Sequence, residues 1–297
     1  MILLDFSGVV VSNIHIGIRE FGHPTEDIVR HMILNSIRRL NTKFKKKYGN
    51  MVICCDSKHY WRNSFFKYYK YKRKVARDKA REKDDIDWNE VYSWVDKIAL
   101  ELKEYFPYTV IIIDGAEADD IIGSLVKKYE TSEKILILSR DGDFKQLQGK
   151  NVHQYDPIGD KVVKVENPRL YLSEHVIRGD AGDGIPNILS PKDTFYTGTK
   201  QKSVTKKWIA NCIGEDPKDF CDTAEMLERY YENERLIDLR KGVPEKLYND
   251  IITMYNDGTT NTNNKIYTYL MKNNLTNLLD VMEDFYNEGK QIEKGVF

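Results

Sequence analysis

Two short apolar runs, Thr109–Ile113 and Ile135–Leu138, bracket a stretch of helical spacing, and each run ends in a burst of acid. Runs of this length, rich in β-branched and aliphatic residues, read as buried parallel strands. Between them, Ile121, Ile122, Leu125 and Val126 repeat with the period of a helix, and Glu117 lies in its first turn. The unit is therefore β-α-β, and it predicts an α/β fold. Glu117, Asp119 and Asp120 follow the first strand, and Asp141 and Asp143 the second. Open α/β sheets place their sites at these carboxyl ends. Two carboxylates about 4 Å apart repel by roughly 4 kcal/mol at an effective dielectric near 20, so five together stay ionised only beside cations. A single acid in a first turn is ordinary dipole chemistry; five are a site.

The rest of the chain repeats the design. Ile2-Leu3-Leu4 runs into Asp5, and Met51 to Cys55 runs into Asp56. One Asp after a strand is turn chemistry, but three strands ending this way form a pattern. Apolar spacing predicts helices over 28–44 and from Trp94 to Phe106, the latter stopped by Pro107. An edge hairpin is expected between Val152 and Val165 around Gly159-Asp160. Asp180 and Asp183, three apart among Gly179, Gly182 and Gly184, would share a face if helical. From Asp216 to Phe285 helical patterns alternate with polar breaks, and Asp257 to Asn264 reads as a surface loop.

A chain of 297 residues, 41% hydrophobic and 31% charged, has room for one large domain or two modest ones. Its formal net charge is zero, yet the charge is segregated: Tyr60 to Lys83 holds ten basic and two acidic side chains. Such a bipolar protein can take a polyanion on one surface and metal ions at another. The four cysteines make no C-x-x-C pair and read as reduced packing residues. With no run of 18 apolar residues and no signal-peptide pattern, the expected location is the cytoplasm.

In the basic stretch Tyr60, Trp61, Phe65, Phe66, Tyr68, Tyr69 and Tyr71 interleave with Arg62, Lys67, Lys70, Lys72, Arg73, Lys74 and Arg77. Lys and Arg meet phosphates and aromatic faces meet exposed bases, so the mixture suits a single-strand-binding element. A solvated basic helix with an aromatic buried face is the alternative. With charge on nearly every face, the stretch from Tyr60 to Arg81 is expected to be mobile or partly disordered without nucleic acid. Lys200, Lys202, Lys206 and Lys207 beside Trp208 form a second basic patch.

Strand–Asp5, strand–Asp56, E-A-D-D at 117–120, S-R-D-G-D-F-K-Q-L at 139–147 and G-D-x-x-D at 179–183 stand in the order found in the 5′-nuclease (flap endonuclease) superfamily. The chain most resembles its phage ribonuclease H branch, over most of its length. The resemblance implies a central, mostly parallel PIN/5′-nuclease-like sheet flanked by helices, with a helical arch and a helix-three-turn-helix that grips duplex DNA. It divides the chain into a nuclease domain over 1–180, with the arch near 58–83, and a helical region over 181–297. By motif position it makes Asp5, Asp56, Glu117, Asp119, Asp120, Asp141, Asp143, Asp180 and Asp183 metal ligands. Tyr69, Lys70 and Arg73 become catalytic arch residues facing the scissile phosphate. One departure is the turn after Asp183, GIPNILSPKDTF, which lacks the family's G-x-G and its usual potassium-binding turn. The implied activity is a 5′→3′ nuclease using two Mg²⁺ ions, replaceable by Mn²⁺, on RNA–DNA and DNA duplexes with 5′ ends or flaps. Magnesium fits a cluster with no His or Cys near it in sequence. The implied task is removal of RNA primers in phage replication by a monomer that meets a single-strand-binding protein and a sliding clamp. The alternatives are a PIN-type ribonuclease acting on RNA and a non-catalytic, structure-specific DNA-binding protein.

Overall fold

Each apolar run becomes a strand of one six-stranded sheet in the computed structural model, which describes residues 1–73, 75, 86–259 and 265–286. The strands are β1 (Ile2–Asp5), β2 (Met51–Cys54), β3 (Thr109–Ile111), β4 (Ile135–Leu138), β5 (Val152–Asp156) and β6 (Lys161–Val163), in spatial order 3-2-1-4-5-6. All neighbours are parallel except β5 and β6, whose antiparallel pairing is the expected hairpin. Strand β1 lies in the middle, paired with β2 on one side and β4 on the other, and is buried throughout. The chain moves outward through β2 and β3, then returns to the far side of β1. That reversal makes the C-terminal ends of β1 and β4 a topological switch point, where α/β sheets leave a crevice. Register aligns Asp5 with Cys54 across β1 and β2, so the acids that follow emerge on one edge.

The helices that position the site are α1 (Phe6–Phe21), α2 (Glu26–Tyr48), α3 (Trp61–Phe65), α4 (Trp88–Tyr105), α5 (Ala118–Tyr129), α6 (Pro168–Arg178), α7 (Thr194–Thr197), α8 (Lys206–Cys212), α9 (Ala224–Ile237), α10 (Glu245–Thr259) and α11 (Ile266–Lys272). Helix α2 runs beyond the apolar spacing because Thr25 caps its start and Gly49, at φ 82°, ends it. Helix α4 stops before Pro107 as expected. Leu4, Ile33, Ile37, Ile98 and Leu102 pack in the core on one face of the sheet. Leu3, Ile121, Leu125, Leu247 and Ile251 pack on the other.

Several expectations need correction. Asp257 to Thr259 complete α10 instead of opening a loop; residues 260–264 lie outside the described residues. A Cβ on Gly258 would stand 2.6 Å from Thr109 Cγ2, so glycine there lets α10 press against β3. Asp180 and Asp183 are not helical: Ile185 N–H donates to the Asp180 carbonyl at 2.7 Å and closes a tight turn. The helical region after residue 181 reaches back to the sheet at its far end. Ile266, Tyr269, Leu270 and Phe285 return to the main core, and Arg30 Nε donates to Tyr269 Oη at 3.0 Å. Ile188, Ile209, Cys212 and Met226 pack around Ile177 of α6 in a smaller cluster.

The basic stretch is also better anchored than its charge implies. Phe66 and Tyr69 are buried against Val176, Ile185, Leu236 and Ile237, which fixes residues 60–73 to the body. Its aromatics supply the hold that charge counting overlooked. Lys74, Arg77 and Arg81 lie outside the described residues. No described helix is long and apolar enough to cross a membrane.

Candidate active site

Helix starts place the first acids. Asp5 ends β1 and caps α1, accepting the Gly8 N–H at 3.0 Å. A Cβ at Gly8 would sit 2.3 Å from Asp5 Oδ2, so no larger residue leaves that carboxylate where it is. Ser139 Oγ donates to the other side of Asp5 at 2.7 Å and accepts the Asp141 N–H at 3.0 Å. One hydroxyl thus links the ends of β1 and β4. Gln154 Nε2 ties the same loop to β5, donating to the carbonyls of Ser139 at 3.1 Å and Asp141 at 2.6 Å. Asp56 accepts the Ala118 N–H at 2.8 Å at the start of α5, where the helix dipole favours an anion.

Eight of the nine expected acids, Asp5, Asp56, Glu117, Asp119, Asp141, Asp143, Asp180 and Asp183, line one cleft of about 610 Å³, with Lys70 and Arg73 at its wall. Asp120 is the exception. It is fully buried, accepts the Glu117 N–H at 3.0 Å and pairs with Arg62 at 2.8 Å, so it holds the helix start and does not face the cleft. Arg62 departs from expectation as well. It lies beneath the cleft, 2% exposed, paired with Glu117 at 3.0 Å and donating to the Leu236 carbonyl at 3.0 Å. A guanidinium there is out of reach of nucleic acid and acts as an internal counter-ion. Lys67, Lys72, Lys200, Lys202, Lys206 and Lys207 are exposed.

Tyr69, Lys70 and Arg73 meet the acids directly. Tyr69 Oη donates to Glu117 at 2.9 Å and to Asp183 at 3.1 Å. Lys70 Nζ is ion-paired with Glu117, and Arg73 Nη2 stands 2.6 Å from Asp183 Oδ1. Burial works against ionised Glu117, yet Lys70 and Arg62 outweigh it and hold the carboxyl below the usual range.

Asp5, Asp119 and Asp143 are paired with no lysine or arginine among the described residues. Burial, then Asp56, push Asp5 up to about 6 despite Ser139 and Gly8. Burial, then Asp141 and Asp5, raise Asp119 well above the ordinary value. Burial and Asp141 push Asp143 up to about 7. These groups share a field that opposes their own ionisation, and divalent cations with oxygen preference would relieve it. The donor set therefore fits metal ions.

His175, on α6, was not anticipated. Its Nδ1 lies 3.6 Å from Asp143 and its Nε2 3.8 Å from Asp180. Asp143, His175 and Asp180 bring ligand atoms within 4.8 Å of one another, so the cluster is not purely oxygen. Burial opposes protonation of His175, but the contact with the Asp180 carboxylate and the charge of Asp143 raise its pKa. Asp180 is held low by the same contact and by the Asp183 and Gly182 N–H groups, against its burial. His175 stands only five residues before Asp180, so a histidine does lie near the acidic motifs in sequence; what the sequence does not show is that the turn of α6 into Asp180 also brings its ring to Asp143.

Comparison with known proteins identifies the arrangement. The model of the 5′-3′ exonuclease N-terminal resolvase-like domain matches residues 13–177, and that of the T4 RNase H C-terminal domain matches residues 167–285. Ribonuclease H of Enterobacteria phage T4 is 34% identical over 296 residues, 95% of each chain. A 5′-3′ exonuclease of Buchnera aphidicola (subsp. Acyrthosiphon pisum) is 30% identical over 156 residues, 48% of this chain and 50% of its own. Among solved structures, a bacteriophage T5 protein co-crystallised with metal ions superposes with a TM-score of 0.63 at 16% identity, covering 86% of this chain and 98% of its own. The T5 5′-exonuclease with bound zinc gives 0.58 at 14% identity, covering 87% and 99%. Sheet, cleft and matches together make the chain a metal-dependent nuclease. It belongs to the 5′-nuclease (flap endonuclease) superfamily, in its phage ribonuclease H and 5′→3′ exonuclease branch.

Proposed function

We propose that the protein hydrolyses phosphodiester bonds of RNA–DNA and DNA duplexes from 5′ ends or flaps, with Mg²⁺ as its ion and Mn²⁺ as a substitute. The observation that carries this reading is the convergence of eight carboxylates with Lys70 and Arg73 in a single cleft. Asp5, Asp56, Asp119 and Asp141 would hold one ion, and Asp143, Asp180 and Asp183, beside His175, a second. Bound cations at such a site supply Lewis acidity toward a phosphate oxygen and the attacking water.

The chain's own residues do the rest. Lys70 and Arg73 reach the cleft from the basic stretch, and each can exchange its carboxylate partner for a non-bridging phosphate oxygen. Tyr69 stays buried and keeps Glu117 and Asp183 at a fixed spacing. Arg62 neutralises Glu117 from below, which leaves Lys70 free to turn toward substrate. No side-chain nucleophile is needed, since water attacks and the leaving oxygen departs as a hydroxyl, leaving a 5′-phosphate on the shortened strand.

Duplex beyond the cleft would lie on the region from about 188 to 237, where Lys200, Lys202, Lys206 and Lys207 project. Asn187 braces this patch: its Nδ2 donates to the Lys202 carbonyl at 2.8 Å, and the Lys202 N–H donates to Ser190 Oγ at 2.8 Å. The task we assign is removal of RNA primers in phage replication. The enzyme would act as a monomer in the host cytoplasm, meeting a single-strand-binding protein and a sliding clamp at the fork. The test is digestion of 5′-labelled nicked, flapped and RNA-primed duplexes with and without Mg²⁺. Short products released only with metal are expected; intact substrates under saturating Mg²⁺ and Mn²⁺ would refute the reading.

A further inference from the structure

Outside the cleft, three tyrosines from two distant segments meet at the surface. The ring centroids of Tyr68 and Tyr196 are 5.3 Å apart, and those of Tyr71 and Tyr196 4.9 Å. Tyr196 is 55% exposed and Tyr71 37%, while Tyr68 is half-buried against Phe66 and anchors the cluster to the body. Contiguous exposed aromatic area costs solvation and marks a binding surface more often than a packing remnant. Cations border it: Lys72 Nζ stands 4.2 Å over the Phe195 ring, and Lys67 Nζ 4.9 Å from that of Tyr68.

The cluster backs onto the acidic cleft. Between Tyr68 and Tyr71 the chain turns Tyr69 and Lys70 inward to Glu117, and the Lys70 N–H donates to the Asp183 carbonyl at 2.7 Å. A Cβ on Gly184 would lie 2.8 Å from the Tyr68 carbonyl oxygen; with φ at 79° only glycine fits that contact easily. One turn thus joins the metal-ligand acids to the ring cluster, and a strand with a phosphate in the cleft has its neighbouring nucleotides within reach.

A ligand that suits exposed rings bordered by ammonium groups is a polyanion with flat faces. A duplex hides its base faces in the stack and offers phosphates and groove edges; an unpaired base offers a face. We infer that Tyr68, Tyr71 and Tyr196 form a stacking platform for an unpaired nucleobase of the strand whose phosphate enters the acidic cleft, with Lys72 against an adjoining phosphate. The inference rests on the nuclease reading above and adds to it the part of the substrate that is recognised.

Binding separates the two. Affinity is measured by fluorescence anisotropy in Ca²⁺ for three DNA duplexes: one with a 5′ oligothymidine flap, one with an abasic flap of equal length and one with a flush 5′ end. For the unaltered protein, removing the flap bases should weaken binding by about 10-fold. Tyr196→Ala should cut the ratio of flap to flush affinity by about the same factor and abolish the difference between thymidine and abasic flaps. Tyr196→Leu, which keeps apolar bulk without a ring face, should behave like the alanine variant, with thermal melting verifying the fold of both. The platform is wrong if the unaltered protein ignores the bases, or if either variant still distinguishes thymidine from abasic flaps. Cleavage of the same substrates in Mg²⁺ is scored independently: no cleavage by the unaltered protein refutes the nuclease reading, whereas normal cleavage without base dependence in binding refutes only the platform.

Discussion

Lys70 reaches Glu117 from a left-handed backbone, φ 55°, with its own N–H donating to the Asp183 carbonyl at 2.7 Å. A side chain with a Cβ is strained there by about 1 kcal/mol, and two contacts hold the strain in place. Both contacts are to residues of the acidic cleft, so the strain is bound to the position of the ammonium group.

The first prediction uses that strain. Lys70→Ala and Lys70→Gly both remove the cation and should slow single-turnover cleavage by about 100-fold or more, with affinity changed much less, because the charge acts mainly in the transition state. The two variants differ in stability: glycine adopts the left-handed region freely and should melt higher, by about 1 kcal/mol in chemical denaturation. A glycine variant no more stable than the alanine one would show that position 70 is not left-handed in solution. Equal small losses in affinity with no loss in rate would remove Lys70 from the catalytic step.

Arg62 and Lys67 test the difference between an internal counter-ion and a surface contact. Arg62→Ala leaves Glu117 and Asp120 in the interior without their shared cation, which should cost about 3–5 kcal/mol. Arg62→Lys should recover only part, since one ammonium cannot make the three contacts of the guanidinium. Lys67→Ala, at an exposed site, should leave the melting temperature within about 1 °C. Denaturation curves for the three variants decide the matter; a marginal effect at Arg62 would mean its burial is misplaced.

These residues show what the sequence made readable. Strands β1, β2 and β4 and the acids after them were visible because a buried parallel strand is an unbroken apolar run and the following acid is next in the chain. Asp120 and Arg62 were misassigned for the same reason: local pattern shows charge but not direction. In E-A-D-D, Asp119 faces the cleft while Asp120 turns back onto its own helix start. Arg62 lies in a basic run yet points inward because Phe66 and Tyr69 beside it bury. His175 meets Asp143, and Tyr196 meets Tyr68 and Tyr71, across segments far apart in the chain, and no spacing announces that.

Salt dependence tests the second basic patch. Neutralising Lys200, Lys202, Lys206 and Lys207 together should reduce the slope of log affinity against log salt by up to about 3.6 for duplex DNA, if each meets a phosphate. Because all four are exposed, melting should not change by more than about 2 °C. An unchanged slope would place the duplex elsewhere on the protein.

The last prediction concerns metal and pH together. Asp5 and Asp143 have folded pKa values raised to about 6 and about 7. A carboxyl raised on folding stabilises the metal-free protein below its unfolded pKa, and that contribution is lost as pH rises through the folded value. His175, also raised, contributes when protonated and loses that contribution as pH rises above its ordinary value of 6.5. Glu117 and Asp180, held low, act in the opposite sense, but their contribution disappears only in acid, below the ordinary carboxylate range. Between pH 5 and 8 the raised groups therefore dominate, and the metal-free protein should lose stability across that window. Mg²⁺ binds the ionised carboxylates and offsets the loss, so its stabilising effect should grow with pH. We expect saturating Mg²⁺ to raise the melting temperature by about 5 °C or more at pH 8 and by much less at pH 5. Asp119→Asn removes one like charge from the same field; it should raise the metal-free melting temperature at pH 8 and reduce the further gain from Mg²⁺. A magnesium effect equal at both pH values, or an Asp119→Asn protein less stable without metal than the unaltered one, would show that the acids in this cleft do not share the field described.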